Sequence, residues 1–260
     1  MTNNSTDKPI VIIGMGEMAG VFARGFLRCG YTVTPVIRAD NCHDIAKNTS
    51  EPELVLVAVG EADLQDVLMD IPEKWKQNLV LLQNELLPND WLQHQLNPTV
   101  ISVWFEKKKG QDYKVLIPSP AFGDKAQILV DTLASIDISA RKLSSAEDLL
   151  FELVVKNVYI LTTNIAGLKV GGTVSELWKN HQDFARLVAA EIIELQSKLT
   201  SQSLNTEKLI NAMLIAFEGD PEHNCMGRSA PARLKRALEL AKQHQLNLPT
   251  LQDISLDLKD

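Results

Sequence analysis

The sequence predicts an α/β chain in two parts: a doubly wound, mostly parallel sheet over residues 8–144, then an all-α domain over residues 145–260. Three observations carry that prediction. Short β-branched runs alternate with helix-length segments from Pro9 to about Ser144, the pattern of strand–helix–strand units. The first run breaks into glycines, VIIGMGEMAG at Val11 to Gly20, before a helical pattern begins. From Ser145 onward the strands stop and the apolar spacing becomes helical.

PIVII at Pro9 to Ile13 is the first expected strand, and EMAGVFARGFLRCG supplies the helix after it. YTVTPVI, ELVLVAV, NLVLLQ, TVISVWF and YKVLIP follow as strands, with DISARKL at Asp137 to Leu143 a weaker one. Their stiff branched side chains suit a pleated, buried surface. In the second half, helical spacing covers Ala146 to Gly167, Gln182 to Thr200, Thr206 to Phe217 and Pro231 to Gln245. GLKVGGTVSE and EGDPEHNCMGRSAP between them carry the glycine, proline and small polar residues of loops. The charge run EKKKG at Glu106 to Gly110 is expected to be a solvated turn.

Composition narrows the function classes. A net charge of −7 argues against a surface built to neutralise many phosphates, so nucleic acid is not an expected partner. The polar start MTNNSTDKP has neither the basic nor the apolar part of a signal peptide, and no later apolar run approaches a membrane span, so a cytoplasmic location without membrane contact is expected. Cys29, Cys42 and Cys225 are odd in number and widely spaced, which fits free thiols rather than a disulfide framework. The five histidines are scattered, with no metal-ligand spacing, and no metal is expected. The apolar stripe of FARLVAAEIIELQSKL serves either as intrachain core or as the seam of a homodimer.

GMGEMAG places Gly14, Gly16 and Ala19 in a G-x-G-x-x-A pattern between strand and helix. Gly14 allows the tight turn, Gly16 lets backbone approach a pyrophosphate, and Ala19 packs helix against strand. The helix start then offers N–H groups to the phosphates. Met15, Glu17 and Met18 belong to this cofactor-binding loop, with Val59 and Asn84 after the third and fourth strands. Glu17 brings a carboxylate to the loop; it either points to solvent and complements the helix dipole, or it opposes phosphate binding. The second strand ends in Ile37-Arg38, and an arginine there accommodates the 2′-phosphate of NADP. Asp40 is the competing group and would favour NAD.

The spacing from VIIGMGEMAG to CGYTVTPVIR resembles the ketopantoate reductase family of NADP-dependent reductases, and the resemblance covers most of the chain. It implies a Rossmann domain joined to a helical domain of the 6-phosphogluconate dehydrogenase type, with substrate in the cleft between them. It also implies hydride transfer from the reduced nicotinamide of NADPH to a 2-keto acid, with a lysine on the first helix of the second domain protonating the alkoxide. That family's Asn-Gly pair after the fourth strand reads Asn84-Glu85 here, and ALELAKQHQLNLPTLQDI resembles its last helix and proline-containing tail.

The catalytic half departs from the family. Its helix pattern is aromatic, x, Lys, Leu, x, x, Asn, and this chain reads FELVVKN. Aligned on Phe151 and Asn157, the lysine position holds Leu153; shifted by one, it holds Glu152 and Lys156 falls on the asparagine. Lys156 is three residues from Leu153, close on the helix surface, and its long side chain either delivers an ammonium to the same place or packs at a domain edge. Cys225-Met226 stands for a serine-methionine pair, the family's glutamate position falls near Ser229 or Ala230, and Gly60 sits where a lysine is often found. Arg228 and Arg233 are alternative anion binders or exposed helix-end arginines.

Two functional readings follow. The first is an NADP-dependent oxidoreductase reducing a carbonyl or imine other than ketopantoate, with Lys156, Asn84 and Asn157 nearest the nicotinamide. The second is a catalytically inactive NADP-binding protein that senses redox state or binds a partner through its helical domain.

Overall fold

The computed structural model describes residues 8–258, which divide into two compact units, Met1–Glu152 and Leu153–Asp260. In the first, β1 (Ile10–Ile13), α1 (Glu17–Arg28), β2 (Val33–Val36), α2 (Cys42–Asn48) and β3 (Leu54–Val57) alternate as expected. A 3₁₀ turn at Glu61–Asp63 leads into α3 (Leu64–Met69), and a second at Glu73–Asn78 into β4 (Leu79–Leu81). Then come α4 (Asn89–Leu92), β5 (Thr99–Ile101), β6 (Phe105–Lys107), β7 (Tyr113–Val115), β8 (Ser119–Phe122), α5 (Ala126–Ala134) and β9 (Ala140–Lys142).

Seven strands form one sheet in the order β2-β1-β3-β4-β5-β8-β9. All neighbours are parallel except β5 and β8. Residues of β1 and β3 are almost wholly buried, as strands covered on both faces must be. Val36 anchors the register of β2, opposite Ile13. On one face, Phe22 and Phe26 of α1 pack with Leu129 and Leu133 of α5 over Ile10, Ile12, Leu54 and Leu56. Each such fully buried side chain contributes about 1.5–3 kcal/mol. Gly25 makes the α1–α5 approach possible: a Cβ there would lie 2.7 Å from the Thr132 carbonyl oxygen.

Two expected strands are corrected. TVISVWF is not one strand but two, because β5 ends at Ile101 and β6 begins at Phe105. YKVLIP does not join the main sheet; β7 pairs with β6 as a separate antiparallel hairpin, with Gly110 at φ +77° near its tip. The main-sheet strand is SPAF instead, β8, which the sequence hides behind Pro118 and Pro120. Pro120 still serves the ladder through its carbonyl, which accepts from the Ser102 N–H at 2.9 Å. EKKKG forms part of that hairpin, and the Lys107 ammonium turns back to the carbonyls of Lys108 and Gln111.

The second unit is helical: most of α6 (Ala146–Val170), then α7 (Val174–Asn180), α8 (Gln182–Thr200), α9 (Thr206–Gly219), α10 (Ala230–Gln243) and α11 (Pro249–Asp257). The division between units falls inside α6. This helix is long and apolar enough to cross a membrane, which corrects the expectation that no run approaches a span; its most apolar stretch is mostly buried in the protein, as in a core helix. The loop expected at GLKVGGTVSE is shorter than that: α6 runs on to Val170 and α7 already begins at Val174. Thr173 caps its start with Glu176 in a reciprocal box, a signal masked by Gly171 and Gly172 just before it. The stripe of α8 is intrachain core, with Ala185, Val188, Ala189, Ile192 and Ile193 buried.

Candidate cofactor and active site

Four loops leave the carboxyl ends of β1, β2, β3 and β4, and these hold the first unit's candidate residues. The chain crosses from β2 on one side of β1 to β3 on the other, so a topological switch point lies at β1. Crevices of this kind bind ligands in open α/β sheets.

The glycine loop is built as its residues require. Gly14 adopts φ +88°, and its N–H donates to the Val36 carbonyl at 2.9 Å. A Cβ on Gly14 would lie 2.9 Å from Val59 Cγ1 and 3.0 Å from the Ala58 carbonyl oxygen, so Val59 walls the loop from the third strand's side. Gly16 is the N-cap of α1, and a Cβ there would point into open space. No side chain caps this helix start. Its first-turn N–H groups, which have no intrahelical acceptor, are thus available to an anion. Ala19 is fully buried, Met18 packs on the core, and Met15 is exposed beside the loop. A dinucleotide phosphate fits this cradle.

Glu17 does not stand alone at the loop. Its carboxylate lies 3.6 Å from the Lys107 ammonium of β6, an ion pair that offsets its charge. Beside the pair runs a groove of about 390 Å³, bounded by the N-cap Gly16, by Gly20 and Arg24 of α1, and by Tyr113 of the hairpin.

At the end of β2 the two competing residues are placed differently. Asp40 accepts the Ile37 N–H at 2.8 Å and returns its own N–H to the Ile37 carbonyl at 2.9 Å, so its carboxylate is engaged within its own turn. Arg38 extends into solvent with its side chain 91 % exposed, and Nη2 lies 3.3 Å from Asp63 Oδ2. Asp63 was not singled out in the sequence. Its signal was only an acidic turn following a strand.

At the end of β4, Asn84 donates to Glu61 Oε1 at 3.0 Å. Glu85 keeps φ +60°, the left-handed backbone that the Asn-Gly pair of the resembling family would allow freely; for glutamate this conformation costs about 1 kcal/mol. Gln83, which sequence reasoning passed over, is buried and ties the segment down. Its amide donates to the Val57 carbonyl at 2.8 Å and the Val59 carbonyl at 3.2 Å, while its oxygen accepts the Leu82 N–H at 3.1 Å. Gln83 thereby links the glycine-loop wall to the segment after β4 that carries Asn84.

Lys156 and Asn157 belong to the second unit, in α6. Lys156 is 7 % exposed, and Asn157 is buried with its amide donating to Gln196 at 3.0 Å. Leu153 is core and Glu152 pairs with Arg141, so neither residue offered by the two registers is a cation. Asn164, seven residues after Asn157 and so on the same helix face, was also missed. Its oxygen accepts from the Gly227 N–H at 3.3 Å and from Arg233 at 3.1 Å, which fixes the loop before α10 to α6. Cys225 packs against Gly167 in that loop, fully buried. Desolvation, with a smaller push from the Glu176 charge, raises its thiol to about 11. Arg228 is exposed at the loop's end.

No protein-family model and no curated protein matches the sequence. Solved structures do match across its length. A ketopantoate reductase from Ralstonia eutropha superposes with TM-score 0.68 at 13 % identity over 96 % of this chain and 97 % of its own. A probable 2-dehydropantoate 2-reductase from Bacillus subtilis gives 0.64 at 18 % identity over 96 % and 99 %. A D-mandelate dehydrogenase in complex with NADH gives 0.64 at 14 % identity over 95 % and 96 %. The Rossmann-type sheet followed by an all-α region is therefore the fold of the ketopantoate reductases.

Proposed function

We propose that the chain is a divergent member of the ketopantoate reductase family, an NADP-dependent oxidoreductase of the cytoplasm that reduces a carbonyl or imine substrate. The observation that carries this reading is the cradle at Gly14 and Gly16, an uncapped helix start facing open space. The fold neighbours support it, since one of them holds NADH. In this reading residues 8–144 bind the cofactor and residues 145–260 form the helical substrate and dimerisation domain.

The first-turn backbone holds the pyrophosphate, Arg38 takes the 2′-phosphate, and Asn84 orients the nicotinamide end, steadied through Gln83. The chemistry that a nicotinamide held there would supply is a hydride for the substrate carbon. Lys156 would deliver the proton to the developing alkoxide or amine nitrogen, with Asn157 beside it on α6; an ammonium held out of bulk water is suited to that role. The NADPH-binding protein without turnover is the second reading, favoured by one observation: the two registers place buried Leu153 or the carboxylate of Glu152, not a lysine, at the family's lysine position.

The test is a fluorescence titration with NADPH of the wild type and of Arg38→Ala. A charge-assisted contact of about 1.5–3 kcal/mol gives an affinity loss of about ten- to a hundredfold. Absence of binding in the wild type would remove the cofactor reading. Oxidation of bound NADPH by 2-keto acids or imines then separates enzyme from inactive binder.

A further inference from the structure

The sequence sets one carboxylate, Asp40, beside Arg38, and the structure brings a second, Asp63, to its guanidinium. Asp40 is engaged with the Ile37 N–H in its own turn. Asp63 is the acid that reaches Arg38, at 3.3 Å, from the 3₁₀ turn after β3. Both partners of this pair are largely exposed, the arginine side chain 91 % and the aspartate 54 %. An exposed pair of that kind holds weakly, so an incoming ligand can open it.

We propose that Asp63 sets the preference between NADPH and NADH at this site. The proposal rests on the dinucleotide reading above and adds to it the residue that tunes specificity. The physical argument compares two ligands at one place. A 2′-phosphate that reaches Arg38 must displace the Asp63 carboxylate and then sit beside it, like charge against like charge. An unphosphorylated ribose meets the opposite situation: its hydroxyls can donate to the carboxylate while the ion pair stays closed, since a carboxylate has acceptor sites for both. Arg38 therefore draws the site towards NADPH and Asp63 draws it back towards NADH. The turn that carries Asp63 is held at its base, where the Asp63 N–H donates to the Gly60 carbonyl at 3.1 Å. Its neighbour Glu61 accepts from Asn84, so the same short turn contacts a group at each end of the candidate dinucleotide site.

The experiment measures dissociation constants for NADPH and NADH with the full chain as wild type, Asp63→Asn and Asp63→Glu, at low and at raised salt. Asp63→Asn removes the charge with little change of shape. We expect it to raise the ratio of NADPH to NADH affinity about fivefold at low salt, with a smaller rise at high salt because exposed charges are screened. Asp63→Glu is expected to stay near the wild-type ratio. A ratio that is unchanged or falls in Asp63→Asn, with the wild type still binding nucleotide, overturns the assignment of Asp63 and leaves the cofactor reading standing. A wild type that binds neither nucleotide overturns both. Thermal melts of the variants identify any change that comes from misfolding, and the exposed position makes Asp63→Glu a folded comparison in either event.

Discussion

Burial of Cys225 couples one thiol to the stability of the helical unit. Its value rises from 9.0 to about 11, first because the site excludes water and second because the Glu176 charge opposes a thiolate. Below pH 9 the thiol is neutral in folded and unfolded chains alike. As pH climbs through 9.0 towards 11, only the unfolded chain gains by ionising, so the stability present at neutral pH is lost across that window, up to about 3 kcal/mol. Denaturant melts at pH 8 and pH 11 should show a steeper decline for the wild type than for Cys225→Ala. Cys29 and Cys42, which are only partly buried, serve as internal comparison in thiol alkylation at pH 8: both should react before Cys225. At this scale the sequence exposed the residues with a pattern around them, such as Gly14, Gly16 and Ala19. Gln83, Asp63 and Asn164 stayed hidden because a hydrogen bond across 20 or more residues leaves no local spacing to read.

Among the elements, the contact of α1 with α5 decides how the glycine loop is held. Gly25 faces the Thr132 backbone, and a methyl group there would meet the carbonyl oxygen at 2.7 Å. Backbone cannot yield as a side-chain tip can. We expect Gly25→Ala to lose about 1–3 kcal/mol in urea melts, despite the better helix propensity of alanine, and to weaken nucleotide binding because α1 carries the phosphate cradle. Strands with branched residues on both sides of a helical segment, such as β1, β3 and β4, were legible from the sequence. β8 was not, because Ser119 and Pro120 read as turn residues and only pairing with β5 on one side and β9 on the other makes them a strand. α7 was missed for a related reason: two glycines in front of Thr173 outweighed its capping box.

At the scale of the whole molecule, the sheet order leaves β2 and β9 as the two outer strands. β2 carries Pro35, which has no N–H to offer, and β9 carries exposed Arg141 and Lys142. Pro35→Val should leave the melting temperature within a few degrees while increasing turbidity on heating, since it restores a donor to an open edge. An unchanged or lower turbidity would show that the edge is guarded elsewhere. The division into two compact units, with the break inside α6 rather than in a loop, could not be placed from composition alone, since the helical pattern is continuous from Ala146 onward. The proline on one rim and the cations on the other bear on crowding rather than on folding. An open seven-stranded sheet is a template on which foreign strands can grow, and here one margin lacks a donor while the other presents the Lys142 cation, which favours the chain staying in solution at high concentration.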